Sequence, residues 1–203
     1  MVTDSIKVRD KHRVLKKVSL ILGIVIIIGV ILGGMFMFGF FTGKKEIILI
    51  NPIQNIVFAN TNEAGLVNEQ AVIEQGIIEF NADYINYILV ALGTGYLHKS
   101  PFFENPFIEF VLDEEIWSSE IKQGVPNAQQ TSIENEDLRI TISKEEAINA
   151  LLSDNIGQFM KDSYSNENLG IDMVVNKAEL FSKGYLEMYK ELTGEEISID
   201  NVE

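Results

Sequence analysis

Asp137-Leu138-Arg139-Ile140-Thr141-Ile142-Ser143-Lys144-Glu145-Glu146 is the stretch on which the fold turns. Leu138, Ile140 and Ile142 alternate with Arg139 and Thr141, the pattern of a strand with one buried face. Ser143 then stands three residues before Glu146. Its hydroxyl can accept from the N3 amide while the Glu146 carboxylate returns to the N-cap amide, which makes a capping box. A strand that feeds directly into a capped helix, here expected to run through Leu152, requires a domain that mixes the two kinds of structure.

Working outward toward the N-terminus, Val125 to Glu136 is rich in Gln, Asn, Ser and Thr and reads as a loop. Before it, Phe107 to Leu112, the acidic turn Asp113-Glu114-Glu115 and Ile116 to Lys122 have the form of a β-hairpin closed by Gly124 and Pro126, with Trp117 on its second strand. Asn81 stands where an N-cap belongs, and Ile85, Ile88, Leu89 and Leu92 recur at helical spacing until Gly93 and Gly95. Ile77 to Phe80 reads as a short strand, Val67 to Gln75 leans toward helix, and Thr61 to Gly65 is a loop. Glu46 to Ala59, β-branched around Asn51-Pro52, suggests an extended segment or edge strand. Toward the C-terminus, Asn155 to Asn168 is polar and loosely helical, and Gly170 to Val175 is a further strand. Asn176 caps a last helix with Leu180, Phe181, Tyr185, Met188 and Leu192 on one face, stopped at Thr193-Gly194.

The N-terminal fifth of the chain obeys a different solvent. Residues 18–43 contain no charged side chain and are dominated by Ile, Val, Leu, Met and Phe. As a helix rising about 1.5 Å per residue this run exceeds the roughly 30 Å hydrocarbon core of a bilayer, so it can span with some tilt. Six Lys/Arg and two Asp lie in residues 1–17, and only Lys44 and Lys45 follow the run closely. The positive-inside bias therefore predicts a basic cytoplasmic tail (1–17), a transmembrane helix (18–43) and an extracytoplasmic domain (44–203) in a single-pass protein. A cleaved signal peptide is the competing reading, but the run is long for one and no A-x-A site follows it. Gly29/Gly33 and Gly39/Gly43 have the small-xxx-small spacing that lets two helices approach, which would allow a homodimer through Gly29 and Gly33.

Charge and motif content narrow the function classes. Residues 46–203 carry 8 Lys/Arg against 28 Asp/Glu. Such a surface repels phosphates, so nucleic acid is not an expected partner. With Cys 0, thiol nucleophiles, thiolate metal sites and disulfides are excluded. His12 and His98 are the only histidines, so a Ser/His/Asp triad in the domain would need His98. P-loop, GxGxxG, HExxH and GxSxG motifs are absent, and the acidic clusters at 113–115 and 134–137 lack calcium-loop spacing. No enzyme activity, cofactor or metal is expected.

In the order of its elements, the segment from Phe107 to Leu192 resembles the sterol carrier protein 2 (SCP2) family. The carriers of the likeness are the hairpin Ile108 to Lys122, the acidic-strand-Ser-x-Glu transition at 137–146, the strand Gly170 to Val175 and the terminal amphipathic helix Ala178 to Leu192. The resemblance implies an α+β fold in which helices cover one face of a mostly antiparallel sheet and enclose an apolar tunnel for a lipid or acyl chain. Ile85, Leu89, Leu92, Trp117, Phe159, Phe181, Tyr185 and Met188 are then the candidate cavity residues, although plain core is the more frequent role of each. The expected function is a membrane-anchored, non-catalytic lipid-binding or lipid-transfer module with the bilayer and an acyl ligand as partners. The alternative is an envelope interaction protein with a solid core and an acidic docking surface.

Overall fold

The computed structural model describes residues 49–101 and 103–194. These run through α1 (Gln54–Ala59), α2 (Glu69–Ile78), α3 (Ala82–Ala91), a 3-10 turn (Thr94–Tyr96), β1 (Phe107–Leu112), β2 (Glu115–Lys122), β3 (Val125–Gln129) and β4 (Leu138–Ile142). They continue with α4 (Lys144–Leu152), α5 (Ile156–Ser165), β5 (Leu169–Met173), α6 (Lys177–Lys183) and α7 (Tyr185–Thr193). The expected tail (1–17), membrane span (18–43) and both glycine pairs lie outside the described residues. Among the described residues, no helix is long and apolar enough to cross a membrane.

The five strands form one sheet in the order β3-β2-β1-β4-β5. The pairs β1/β2, β2/β3 and β4/β5 are antiparallel, while β1 and β4 are parallel, so the sheet is mixed. Register places Ile108 opposite Leu138, Phe110 opposite Ile140 and Leu112 opposite Ile142. All six are buried in the hydrophobic core with Ile85, Ile88, Leu89 and Leu92 of the α3 segment and Ile148 of α4. The alternate positions Glu109, Arg139, Thr141 and Asp172 share the other face. Because side chains alternate with period two, a slip of one residue would exchange the two sets, and burial therefore fixes the register.

The strand-to-helix transition at 137–146 forms as expected. The Glu146 amide donates to Ser143 Oγ at 3.1 Å, but the Glu146 carboxylate accepts from the Ser163 hydroxyl of α5 at 2.5 Å. Half of the capping box has been recruited to a tertiary contact. Asn81, Asn155 and Asn176 likewise accept from backbone amides at the starts of α3, α5 and α6.

Four local expectations are corrected. Residues 54–59 form a helix, not an extended segment. Asn51 Oδ1 accepts from the Ile53 amide to start the turn after Pro52, and Ile56 is buried; packing outweighs the modest helix penalty of β-branched residues. Ile77–Ile78 complete α2, since the four residues Ile77-Ile78-Glu79-Phe80 are too few to carry a period of their own. Val125 to Gln129 is a third strand in place of a loop. Gln123 (φ 53) and Gly124 (φ 81) make the tight two-residue connection, and Pro126 is tolerated because β3 is an edge strand. Asn86 Oδ1 accepts from the Ala128 amide at 2.9 Å. Finally, the C-terminal helix breaks at Gly184 (φ 88) into α6 and α7. A Cβ there would lie 2.4 Å from the Tyr96 carbonyl oxygen.

Candidate functional site

The residues nominated from sequence do not converge on one site. Ile85, Leu89, Leu92, Trp117, Tyr185 and Met188 are all members of the hydrophobic core. Phe181 is 58% exposed. Phe159 is half-buried and lines a surface groove of about 680 Å³. His98 Nδ1 donates to the Tyr96 carbonyl at 3.0 Å.

That groove is built by the helix that sequence reading missed. On one side stand Ile53, Val57 and Phe58 of the α1 segment; Val67 of the following turn, Ile73 of α2, Leu151 and Leu152 of α4 and Phe159 of α5 complete its apolar lining. A series of short-range polar bonds fixes α1 in place. Asn51 Nδ2 donates to the Leu151 carbonyl at 2.8 Å, tying the start of α1 to the end of α4. Asn60 Nδ2 donates to Ile56 O and to Gln75 Oε1 at 2.9 and 3.0 Å, which ties the end of α1 to α2. Thr61 Oγ1 donates to Val57 O at 2.6 Å, and a β-bridge joins Thr61 to Val67 across the turn at the rim. Glu69 is the single charged residue in the lining. In a domain so rich in carboxylates this is an apolar, nearly uncharged recess. Its size falls in the range of small-ligand sites, of which about 300–1,000 Å³ is usual.

Elsewhere, the concentrated chemistry is a buried ionic cluster at the end of the sheet. Asp137 and Lys183 are both almost wholly buried and paired, and Lys183 also meets Glu179 at 2.8 Å. The other Asp137 oxygen accepts from the Phe107 amide at 2.8 Å and the Tyr185 hydroxyl at 3.0 Å. The Asp137 backbone takes part as well, with its amide donating to Phe107 O and its carbonyl accepting from Val174. This one residue therefore joins β1, β4, the end of β5, α6 and α7. Burial raises the Asp137 carboxyl above its ordinary value despite the opposing pull of Lys183. Burial, and then the adjacent Asp137 charge, push the Tyr185 phenol well up. Every oxygen is satisfied within the fold, which is the arrangement of a structural keystone. Among the described residues, no three His, Asp or Glu side chains are grouped to hold a metal.

The groove and the cluster were missed for different reasons. For the groove a signal existed: residues 47–62 carry no charge at all, in a domain whose residues 46–203 hold 28 Asp/Glu. For Asp137–Lys183, 46 residues apart, nothing local announces the pairing.

No protein-family model matches the chain, and no curated protein does. Among solved structures it has low similarity to a double mutant of the sec-alkyl sulfatase PisA1, with TM-score 0.35 and 10% identity over 58% of this chain and 17% of that one. It is similar to the UbiJ-SCP2 ubiquinone synthesis protein at TM-score 0.33 and 8% identity, over 61% of this chain and 98% of that one. A third likeness is to the inverting sec-alkylsulfatase Pisa1 from Pseudomonas sp., at TM-score 0.27 and 10% identity over 63% and 16% of the two chains. The chain thus spans about a sixth of the length of the sulfatases.

Proposed function

We propose that this chain is a membrane-anchored, non-catalytic lipid-binding module that holds an apolar ligand in the groove beside α1. The observation that carries this reading is the groove itself, an open recess of about 680 Å³ walled by Val57, Phe58, Ile73, Leu152 and Phe159 with one charged residue in its lining. Affinity in such a recess needs no catalytic group, because burying an acyl chain contributes about 0.8 kcal/mol per methylene. Gln54 and Asn149 in the same lining supply polar contacts for a ligand's headgroup, while the donors of Asn51, Thr61 and Ser153 are spent on backbone carbonyls. The element order that resembles SCP2 domains agrees with a carrier, and the 18–43 apolar run supports tethering with the domain on the far side of the membrane.

The test is native mass spectrometry and lipid extraction of the full chain purified in detergent, followed by titration with a fluorescent fatty acid. The reading expects a co-purified lipid or a saturable probe, and an Ile73→Trp variant that fills the groove should reduce binding. A ligand-free preparation that also rejects the probe overturns it. A second reading, an envelope interaction protein, is favoured by the burial of Ile85, Leu89, Leu92 and Met188 in the common core. It expects in-membrane crosslinking to capture a defined partner through the acidic surface and no acyl binding.

A further inference from the structure

The exposed apolar side chains are unevenly distributed. Among the described residues, Leu49, Ile50, Phe58, Leu66, Val67 and Ile78 are large hydrophobics left open to solvent within one stretch of 30 residues. Ile50 and Phe58 are each 83% exposed, and Leu66 is 68% exposed. Phe58 and Val67 sit on the same rim of the groove. They are held there: Asn62 Oδ1 accepts from the amides of both Ala64 and Leu66 at 2.9 Å, and Asn68 N donates to Asn60 O at 2.9 Å. Phe58, Leu66 and Val67 are therefore exposed apolar side chains held in fixed positions beside the groove, of the kind that marks an interaction surface.

Two facts choose its occupant. The first is electrostatic: residues 47–62 are free of charge while 28 acidic side chains lie in residues 46–203. Across α1 this surface therefore presents no charge of its own to repel anionic headgroups, with Glu63 and Glu69 flanking the Leu66-Val67 turn. The second is reach: the apolar run ends at Gly43, and about ten residues later α1 begins, so the connection spans at most about 35 Å even when fully extended. We infer that the α1 face, with Phe58 and the Leu66-Val67 turn as its apolar contacts, docks on the bilayer surface and sets the mouth of the groove at the boundary between headgroups and acyl chains. Insertion of a few large apolar side chains beside an existing anchor is the arrangement of interfacial segments. The inference rests on the anchored half of the reading above and is independent of whether the groove holds a ligand.

The chain has no cysteine, so single labels can be placed cleanly. Phe58→Cys and Leu66→Cys, with Thr141→Cys and Asp172→Cys as references on the opposite face of the sheet, are labelled with an environment-sensitive fluorophore in the full chain. The proteins are reconstituted in vesicles of phosphatidylcholine, with and without phosphatidylglycerol. Flotation with the vesicles reads the anchor separately. The expected result is a blue-shifted emission at 58 and 66 that a lipid-dissolved quencher removes, with water-like emission at 141 and 172. Introducing Phe58→Glu beside the label at 66 should abolish the shift while flotation persists. Water-like emission at all four positions in floating protein overturns the docking, and loss of flotation overturns the anchor beneath it. A shift at 58 that follows protein-to-lipid ratio and is accompanied by self-quenching assigns the face to a second copy, which also overturns it. Fatty-acid titration of the same preparations reports the groove independently.

Discussion

Replacing Lys183 by Met is the sharpest test of how the domain is held together. The ammonium is buried between Asp137 and Glu179, and Met keeps most of the side-chain volume while removing the charge. Glu179 is partly exposed and can turn to water. Asp137 cannot, because its carboxylate is enclosed and retains only the Phe107 amide and the Tyr185 hydroxyl. An uncompensated buried charge of this kind costs about 3–5 kcal/mol, which for a domain of this size lowers Tm by on the order of 10 °C. The pH dependence carries the sign. Asp137 already has a raised carboxyl, and loss of Lys183 raises it further. A carboxyl whose folded pKa exceeds its unfolded value contributes stability that is present at low pH and lost as pH rises through the folded value. The deficit of Lys183→Met should therefore be largest at neutral pH and shrink on acidification. Denaturant unfolding followed by far-UV circular dichroism at several pH values measures both effects. A double-mutant cycle with Asp137→Asn should return a coupling of about 1–3 kcal/mol, since the amide removes the stranded charge. A Lys183→Met protein within about 1 kcal/mol of its parent at neutral pH, with no coupling in the cycle, would refute the reasoning.

Two further outcomes follow from local geometry. Gly184→Ala should cost more than about 2 kcal/mol, because a positive φ and a collision with the Tyr96 carbonyl act together; Gly157→Ala in α5, where the nearest atom to a new Cβ is 3.5 Å away, should be neutral or stabilise by up to about 1 kcal/mol. Thermal melts of the pair separate these. Glu115 is held below the ordinary glutamate value chiefly by its hydrogen bond from Lys144, so the pair's contribution is complete above that ordinary value and lost as pH falls through the depressed one. Lys144→Met should then show a deficit of at most about 1 kcal/mol at neutral pH, since Glu115 is partly exposed, and the deficit should vanish in acid; a deficit that grows on acidification contradicts the assignment.

Sequence alone determined the features governed by neighbours in the chain. Alternation at Leu138-Ile140-Ile142, the Ser143 cap and the hairpin around Asp113 are decided by period and capping within a few residues, and they stand as read. So do the Asn81 and Asn176 caps and the strand near Gly170, whereas the Asn155 cap emerged only from the structure. The tertiary structure decided what depends on distant partners. Val125 to Gln129 looks like a loop by composition and becomes a strand because β2 offers it a ladder and Asn86 satisfies the Ala128 amide. Residues 54–59 look extended and coil into a helix because Ile56 gains burial and Asn51 and Asn60 anchor both ends. The last helix breaks because the Tyr96 backbone occupies the space where a Cβ at 184 would go. The candidate site followed the same division. Apolar periodicity found Ile85, Leu89 and Met188 as inward-facing residues, but periodicity reports only that a side chain leaves water, and a packed core and a ligand groove satisfy that equally. Where four helices leave a recess between them is set by their packing, a long-range property that no local run of residues encodes.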